Sequence, residues 1–244
     1  MSDNPYDSPA VAALYDTLNP WGACDDFYLD LVMGASRVLD VGCGTGHLLH
    51  RAREHGHTGT LVGVDPAQAM LEVARARTDI TWTHGDLSTH AWEGEFDLVT
   101  MTGHAFQELR TDTEATAALT AMRRALAPGA LAAFETRNPA ARAWQRWTTD
   151  HPQHATTSQG VPITDVNDAT PPTPEGSVSL TSTTTSPAWD TPLLTHSTLR
   201  FMDAHHLDRL LRRAGLGAVE RFGDWDRSPL TPDSPEIITL ARAI

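Results

Sequence analysis

Cysteine, positive charge and long apolar runs are all scarce in this 244-residue sequence. The two cysteines, Cys24 and Cys43, have no metal-ligand spacing around them, and Cys43 lies inside a glycine loop. That pattern excludes a disulfide framework or a cysteine metal site and points to a reduced, cytoplasmic protein. Lys plus Arg total 18 against 31 Asp plus Glu, a formal charge of -13. A surface so negative repels phosphate backbones and anionic headgroups, so neither nucleic acid nor membrane is expected as a partner. No stretch approaches the roughly 20 apolar residues that span a bilayer. The opening MSDNPYDSPAVAALYD lacks the charged and then apolar regions of a signal peptide.

What is present suits one α/β domain, or a core domain with a modest insert. Hydrophobic residues make up 40% of the chain and charged residues 20%, enough for a sizeable core. From Arg37 to about Arg137, short strand-like runs alternate with helical ones, the pattern of a parallel sheet with crossover helices. RVLDV is the first strand and runs into GCGTG. HLLHRAREHG follows as a helix that stops at Gly56. TLVGVD is the second strand and ends on Asp65, with Pro66 suited to the first turn of the helix carrying Met70, Leu71 and Ala74. ITWTHGDL and EFDLVTMTG give two more strands. Thr111 and Glu114 offer a capping box for the next helix, which Pro128-Gly129 should break before the strand ALAAFETR. Asn138-Pro139 reads as a cap and first-turn proline for a helix over AARAWQRW.

Beyond about Asp150 the composition turns rich in Thr, Ser and Pro. VPITDV, SVSLTSTTT and LLTHSTLRF alternate, and TPPTPEG resembles a hairpin loop, so a small antiparallel sheet is expected here. Asp203 opens a helix stopped by Gly215. AVERFGDW and EIITLARA are then expected to pair as an antiparallel edge. The organisation so read is residues 1–36 as N-terminal cap helices, 37–138 as a ligand-binding core, 139–202 as a helix plus β insert, and 203–244 as the final helix and edge strands.

The most informative segment is Asp40-Val-Gly42-Cys-Gly44-Thr-Gly46, placed after a strand and before a helix. Glycines let the backbone turn tightly and approach a ligand without interference from a Cβ. A dinucleotide site requires G-x-G-x-x-G. Here the residue three after Gly44 is His47, and Asp40 would repel a pyrophosphate. A carboxylate suits a ligand with an ammonium or sulfonium charge instead. Asp65, at the end of the second strand, can accept from both hydroxyls of a ribose, or cap the following helix. Asp86, after Gly85, is placed to accept from an exocyclic adenine amine, or to serve as a turn residue.

Together these motifs closely resemble the class I S-adenosylmethionine-dependent methyltransferases of the small-molecule type. VLDVGCGTG is similar to the family's first motif, VGVD to its second-strand acidic motif and GDL to its adenine-contacting motif. FDLVTMTGHAFQEL, LAPGALAAFETRNP and EIITLARA resemble its later strands. The resemblance implies a doubly wound, Rossmann-like, seven-stranded mixed sheet, here with a small inserted antiparallel β cap. It also implies S-adenosyl-L-methionine as cofactor, with S-adenosyl-L-homocysteine as product. Asp40, Gly42, Gly44 and Gly46 would hold the methionine part, Asp65 the ribose, and Asp86 and Leu87 the adenine. Tyr15, Pro66, Met70 and Thr102 complete the implied cofactor set.

Methyl transfer from a sulfonium needs alignment, and a base only where the acceptor carries a proton. His104, following the fourth strand, is the first candidate base, and Glu135 is the second. Arg137 could grip a substrate carboxylate, and Asn138 lies beside it as a helix cap or substrate ligand. Trp21 and Tyr28 are candidate lid or substrate-binding residues on the aromatic N-terminal segment, which could equally be a packing helix. Trp144 and Trp147 read as packing groups, and the resemblance places Trp225 near the pocket mouth. The sequence thus implies a small-molecule nitrogen or oxygen acceptor, a monomer or homodimer, and no metal. A non-methylating enzyme of the same fold and a protein-directed methyltransferase remain as alternatives.

Overall fold

The computed structural model describes residues 4–244. Two helices, α1 (Pro9–Leu18) and α2 (Ala23–Met33), precede the first strand. The core then runs β1 (Arg37–Val41), α3 (His47–Glu54), β2 (Thr60–Asp65), α4 (Gln68–Ala74), β3 (Thr81–His84), β4 (Phe96–Met101), α5 (Asp112–Ala125) and β5 (Leu126–Arg137). Four strands follow, β6 (Gln153–Thr156), β7 (Pro162–Ala169), β8 (Ser177–Thr185) and β9 (Leu193–Arg200). The chain closes with α6 (Ala204–Arg213), β10 (Leu216–Phe222) and β11 (Glu236–Ala243).

Seven strands form one sheet in the order β10-β11-β5-β4-β1-β2-β3, and β6 to β9 form a second, four-stranded sheet. Strands β1 to β5 are parallel, whereas β11 lies antiparallel between β5 and β10. This is the mixed, doubly wound sheet with an antiparallel cap that the sequence implied. Unbroken apolar runs in β1, β2 and β4 are buried on both faces because helices cover both sides. One face packs Leu39, Val99 and Phe134 against α5 and α6. The other packs Val38, Leu98 and Leu240 against α2 and α3. Each fully buried side chain of this size contributes about 1.5–3 kcal/mol.

Local chemistry fixes the element ends. Thr111 and Glu114 form the reciprocal capping box of α5, at 3.1 and 3.0 Å. Asp203 caps α6 through the His206 amide at 2.7 Å. The chain order reverses between β1 and its neighbours β2 and β4, which opens a crevice at their carboxyl ends.

Three local expectations are corrected. Residues after Asn138 form two short 3-10 helices, Pro139–Ala141 and Ala143–Arg146, because Arg142 between them adopts a left-handed conformation (φ 49°). Pro128-Gly129 lies inside the 12-residue β5, where the register with β4 slips between Phe96 and Leu98. Pro66 precedes its helix, whose N-cap is Ala67. The cap sheet also includes β6, which the sequence reading did not single out. Among the described residues no helix is long and apolar enough to cross a membrane.

The cap has its own apolar cluster and polar ties to the core. Ala143, Val178, Leu199 and Phe201 form an apolar cluster with Trp144 and Trp147. At its other edge Arg200 donates to Asp112 at 2.6 Å, and Gln107 Nε2 donates to the Arg200 carbonyl at 3.1 Å.

Candidate active site

A cavity of about 710 Å³ runs from the glycine loop, under α1, to the inner face of the cap sheet. At the loop end, Gly42 and Gly44 adopt positive φ angles of 69° and 54°, conformations that an L side chain enters only with strain. Gly44 lines the cavity, and a Cβ on it would stand in open space with no protein atom within 4 Å. Asp65 fixes this loop. Its Oδ2 accepts from the Gly44 amide and its Oδ1 from the Ala67 amide, both at 2.8 Å. Burial pushes the Asp65 carboxyl up, and those two amides oppose the shift.

Helix α1 roofs this end. Tyr15, Val11 and Tyr6 pack with Met70 of α4, and Thr45 of the loop donates to Asp16 of α1 at 2.6 Å. Burial and the Asp65 charge push the Tyr15 hydroxyl up to about 12, so it remains a donor. Asp65, Pro66, Met70, Asp86, Thr102 and Tyr15 all reach the cavity. Asp65 and Asp86 bring two carboxylates to the cavity beside the glycine loop, which disfavours a pyrophosphate there. An uncharged ribose and a cationic sulfonium fit the same groups.

Several residues of the implied cofactor set stand elsewhere. Asp40 is fully buried, and its Oδ1 accepts from Thr100 Oγ1 at 2.8 Å, away from the cavity. Burial raises its carboxyl to about 7. Gly46 also misses the cavity; a Cβ there would sit 2.4 Å from Trp82, so its absent side chain makes room for packing. Leu87 is buried in the main core cluster.

At the acceptor end, His104 follows Gly103 at the tip of β4 and is itself left-handed, with φ 60° and ψ 20°. Its amide donates to Glu135 Oε1 at 2.5 Å, and the second Glu135 oxygen accepts a short bond from the Tyr28 hydroxyl. Glu135 and Tyr28 are therefore buried behind the cavity wall, where burial raises both groups. His104 Nε2 meets Glu236 Oε2 at 3.0 Å. Burial and the Arg137 charge depress the imidazole to about 3, keeping it neutral.

Arg137 enters the cavity with its guanidinium 5.0 Å over the Trp147 ring, and its NH1 donates to Gln107 at 3.0 Å. Trp147 consequently lines the cavity as well as packing the cap. Asn138 does not. It caps the first 3-10 helix and donates to the carbonyls of Pro232 and Ser234. Trp21 is displaced to the surface, where it donates to Asp26 at 2.7 Å beneath Arg51. Trp225 packs on Phe27 and Tyr28.

Sequence reasoning named no residue of the cap as a site residue. Strand register brings Gln153, Asp165, Thr184 and Leu193 into one row across the sheet, and Asn167, Ser182 and Thr195 into the next. All seven face the cavity. Asp165 is 5% exposed, and its Oδ1 accepts from Ser182 at 2.6 Å and Thr184 at 2.7 Å. The covered face of a small sheet is ordinarily its apolar one. Here that polarity is inverted opposite the glycine loop.

A family model described as "Methyltransferase domain" matches residues 38–129. The 2-phytyl-1,4-naphtoquinone methyltransferase of Thermosynechococcus vestitus is 37% identical over 139 residues, 51% of this chain and 60% of that protein. Its namesake from Trichormus variabilis is 31% identical over 161 residues, 57% of this chain and 69% of that one. The first match thus spans less than two thirds of its relative. The fold is also similar to that of SAM-bound CalS10, an amino pentose methyltransferase from Micromonospora echinaspora. There the TM-score is 0.71 at 22% identity, with 96% of this chain and 97% of that one covered. With the glycine loop, the Asp65 clasp and the reversed β11 in place, the chain belongs to the class I S-adenosylmethionine-dependent methyltransferases.

Proposed function

We propose that the protein methylates a nitrogen or oxygen of a small, polar, hydroxylated acceptor held between His104 and the cap sheet. The observation that carries this reading is the continuity of one cavity from the cofactor loop to the polar rows around Asp165. S-adenosylmethionine, when bound, supplies an activated methyl group on a sulfonium. The protein's own task is then alignment, exclusion of water and proton removal.

Gly42, Gly44, Asp65 and Asp86 would hold the cofactor, with Tyr15 and Met70 closing over it. The neutral His104 imidazole is placed to take the acceptor's proton. Asp165, Ser182 and Thr184 supply fixed acceptors and rotatable hydroxyls, which match ammonium and hydroxyl groups. The naphtoquinone of the curated relatives' name would present mostly apolar surface to this wall and leave its polar groups unpaired. An acceptor of the amino-sugar kind in CalS10's title suits the wall better.

The test is direct incubation with S-adenosylmethionine and a panel of amino sugars, simple amines and a demethylated naphthoquinone, read by mass spectrometry. Methylated amino sugar with matching S-adenosylhomocysteine supports the reading. Turnover of the quinone alone overturns the polar-acceptor assignment.

A further inference from the structure

We infer that Glu236 is a positioning residue that sets the tautomer of His104, its carboxylate holding the proton on Nε2 so that Nδ1 is the free base. Three observations place this device. The His104 ring has one hydrogen bond among the described residues, from Nε2 to Glu236 Oε2 at 3.0 Å. His104 lines the cavity and Glu236 does not, so the carboxylate acts through the imidazole. The His104 backbone adopts a left-handed conformation, strained for a non-glycine residue, with its amide bonded to Glu135. That conformation aims the ring between Glu236 behind and the cavity in front.

Glu236 owes its position to the fold's reversed strand. It is the first residue of β11, paired across the sheet with Arg137 of β5. The two ring nitrogens of a neutral imidazole differ only in which carries the proton, and the partner of one decides the role of the other. An ionised Glu236 accepts from Nε2–H and leaves Nδ1 with its lone pair. During transfer, the acceptor's proton passes to Nδ1, and the imidazolium so formed stays paired with the carboxylate.

The arrangement is pH-dependent. Charged and titratable groups around the pair are Glu135 and Arg137 on β5, Tyr28 on α2, and Asp224 before β11. Burial, aided by Asp224 and opposed by Arg137, raises the Glu236 carboxyl to about 7. Below that pH the carboxyl is protonated and donates to Nε2, which forces the ring proton onto Nδ1 and removes the base. Above it the productive tautomer returns.

The role of Nδ1 as base rests on the methyltransferase reading; the tautomer itself does not. The experiment is nitrogen-15 NMR of the full chain labelled at its histidines, with the His104 signals assigned by difference against His104→Gln. Expected at pH 8 is a protonated Nε2 and an unprotonated Nδ1, reversing as pH falls through about 7. Glu236→Gln cannot ionise and should show one tautomer at both pH values. Calorimetric binding of S-adenosylhomocysteine, measured on each variant, reports folding and the cofactor site separately. Retained binding with Nδ1–H at pH 8 in the wild type overturns the inference and leaves the methyltransferase reading standing. So does a pH reversal that persists in Glu236→Gln. Should the variant fail to fold, the wild-type pH series alone decides.

Discussion

Asp65 at the end of β2 clasps the Gly44 amide across the switch point, Oδ2 to nitrogen at 2.8 Å. One side chain thus orders the loop and lines the cavity. Asp65→Ala removes the acceptor of two amides as well as any ligand contact. A hydrogen bond to a charged group is worth about 1.5–3 kcal/mol. Binding of S-adenosylhomocysteine is therefore expected to weaken by about 100-fold or more in calorimetry. An unchanged Kd would mean that the clasp has no part in the cofactor site.

Gly44 and Gly46 belong to one sequence motif but have different neighbours. An alanine at Gly44 places its Cβ in the cavity, so cofactor affinity should fall while the melting temperature changes by only a few degrees. An alanine at Gly46 meets Trp82 at 2.4 Å. That variant should lose stability on the order of 1–3 kcal/mol through overpacking. Comparable stability losses in both would show that left-handed strain at Gly44 costs as much as the Trp82 clash at Gly46.

Asp40 yields a prediction of opposite character. Its carboxyl is raised from 3.8 to about 7 by burial, so the folded state holds a proton that the unfolded chain releases near pH 4. Its contribution to stability is present at low pH and is lost as pH climbs from about 4 to about 7. Glu236 acts in the same direction up to about 7, while His104, depressed to about 3, opposes both between about 3 and 6.5. Asp40→Asn removes one of these terms and keeps an acceptor for Thr100. The variant should melt higher than wild type at pH 8, by on the order of 2 kcal/mol. Its Tm should also fall less steeply between pH 4.5 and 7. Its affinity for S-adenosylhomocysteine should stay within about three-fold, because the side chain does not reach the cavity. A large affinity loss would restore Asp40 to the cofactor site.

These contrasts mark what the chain displays in one dimension. The sheet core was legible because buried parallel strands read as apolar runs and their ends carry Gly or Asp. That Asp65, Asp86 and Tyr15 line one cavity follows from strand ends and the N-terminal segment. Gly46 and Asp40 stand outside the cavity lining, which the sequence did not display because a loop motif does not show which way each residue faces. Glu236 was invisible as a partner of His104, 132 residues away, until β11 folded back beside β5. The 3-10 turns after Asn138 depend on Arg142 entering a left-handed conformation, which no local residue preference announces. The residues of the cap wall were not legible because its inner side mixes Asp165, Ser182 and Thr184 with Leu180, Leu193 and Leu199, so alternation shows the strands but not which face turns inward.

That wall carries the last prediction. Asp165 accepts from Ser182 and Thr184 on Oδ1 and from Asn167 on Oδ2, lines the cavity and forms no salt bridge among the described residues. An acceptor with an ammonium or several hydroxyls would complete it. Asp165→Asn keeps one acceptor oxygen, loses the charge and introduces a competing donor. The loss falls on binding rather than on the methyl-transfer step, because the carboxylate lies on the cap and not at His104. With an amino-sugar acceptor, KM should rise by about 10- to 100-fold with kcat nearly unchanged, equivalent to about 1.4–2.8 kcal/mol of uniform binding. Cofactor affinity should be unaffected, since Asp165 lies at the far end of the cavity from Gly44. A fall in kcat at constant KM would place Asp165 in the transfer step instead, and an unchanged KM would make the wall a structural ladder of hydroxyls.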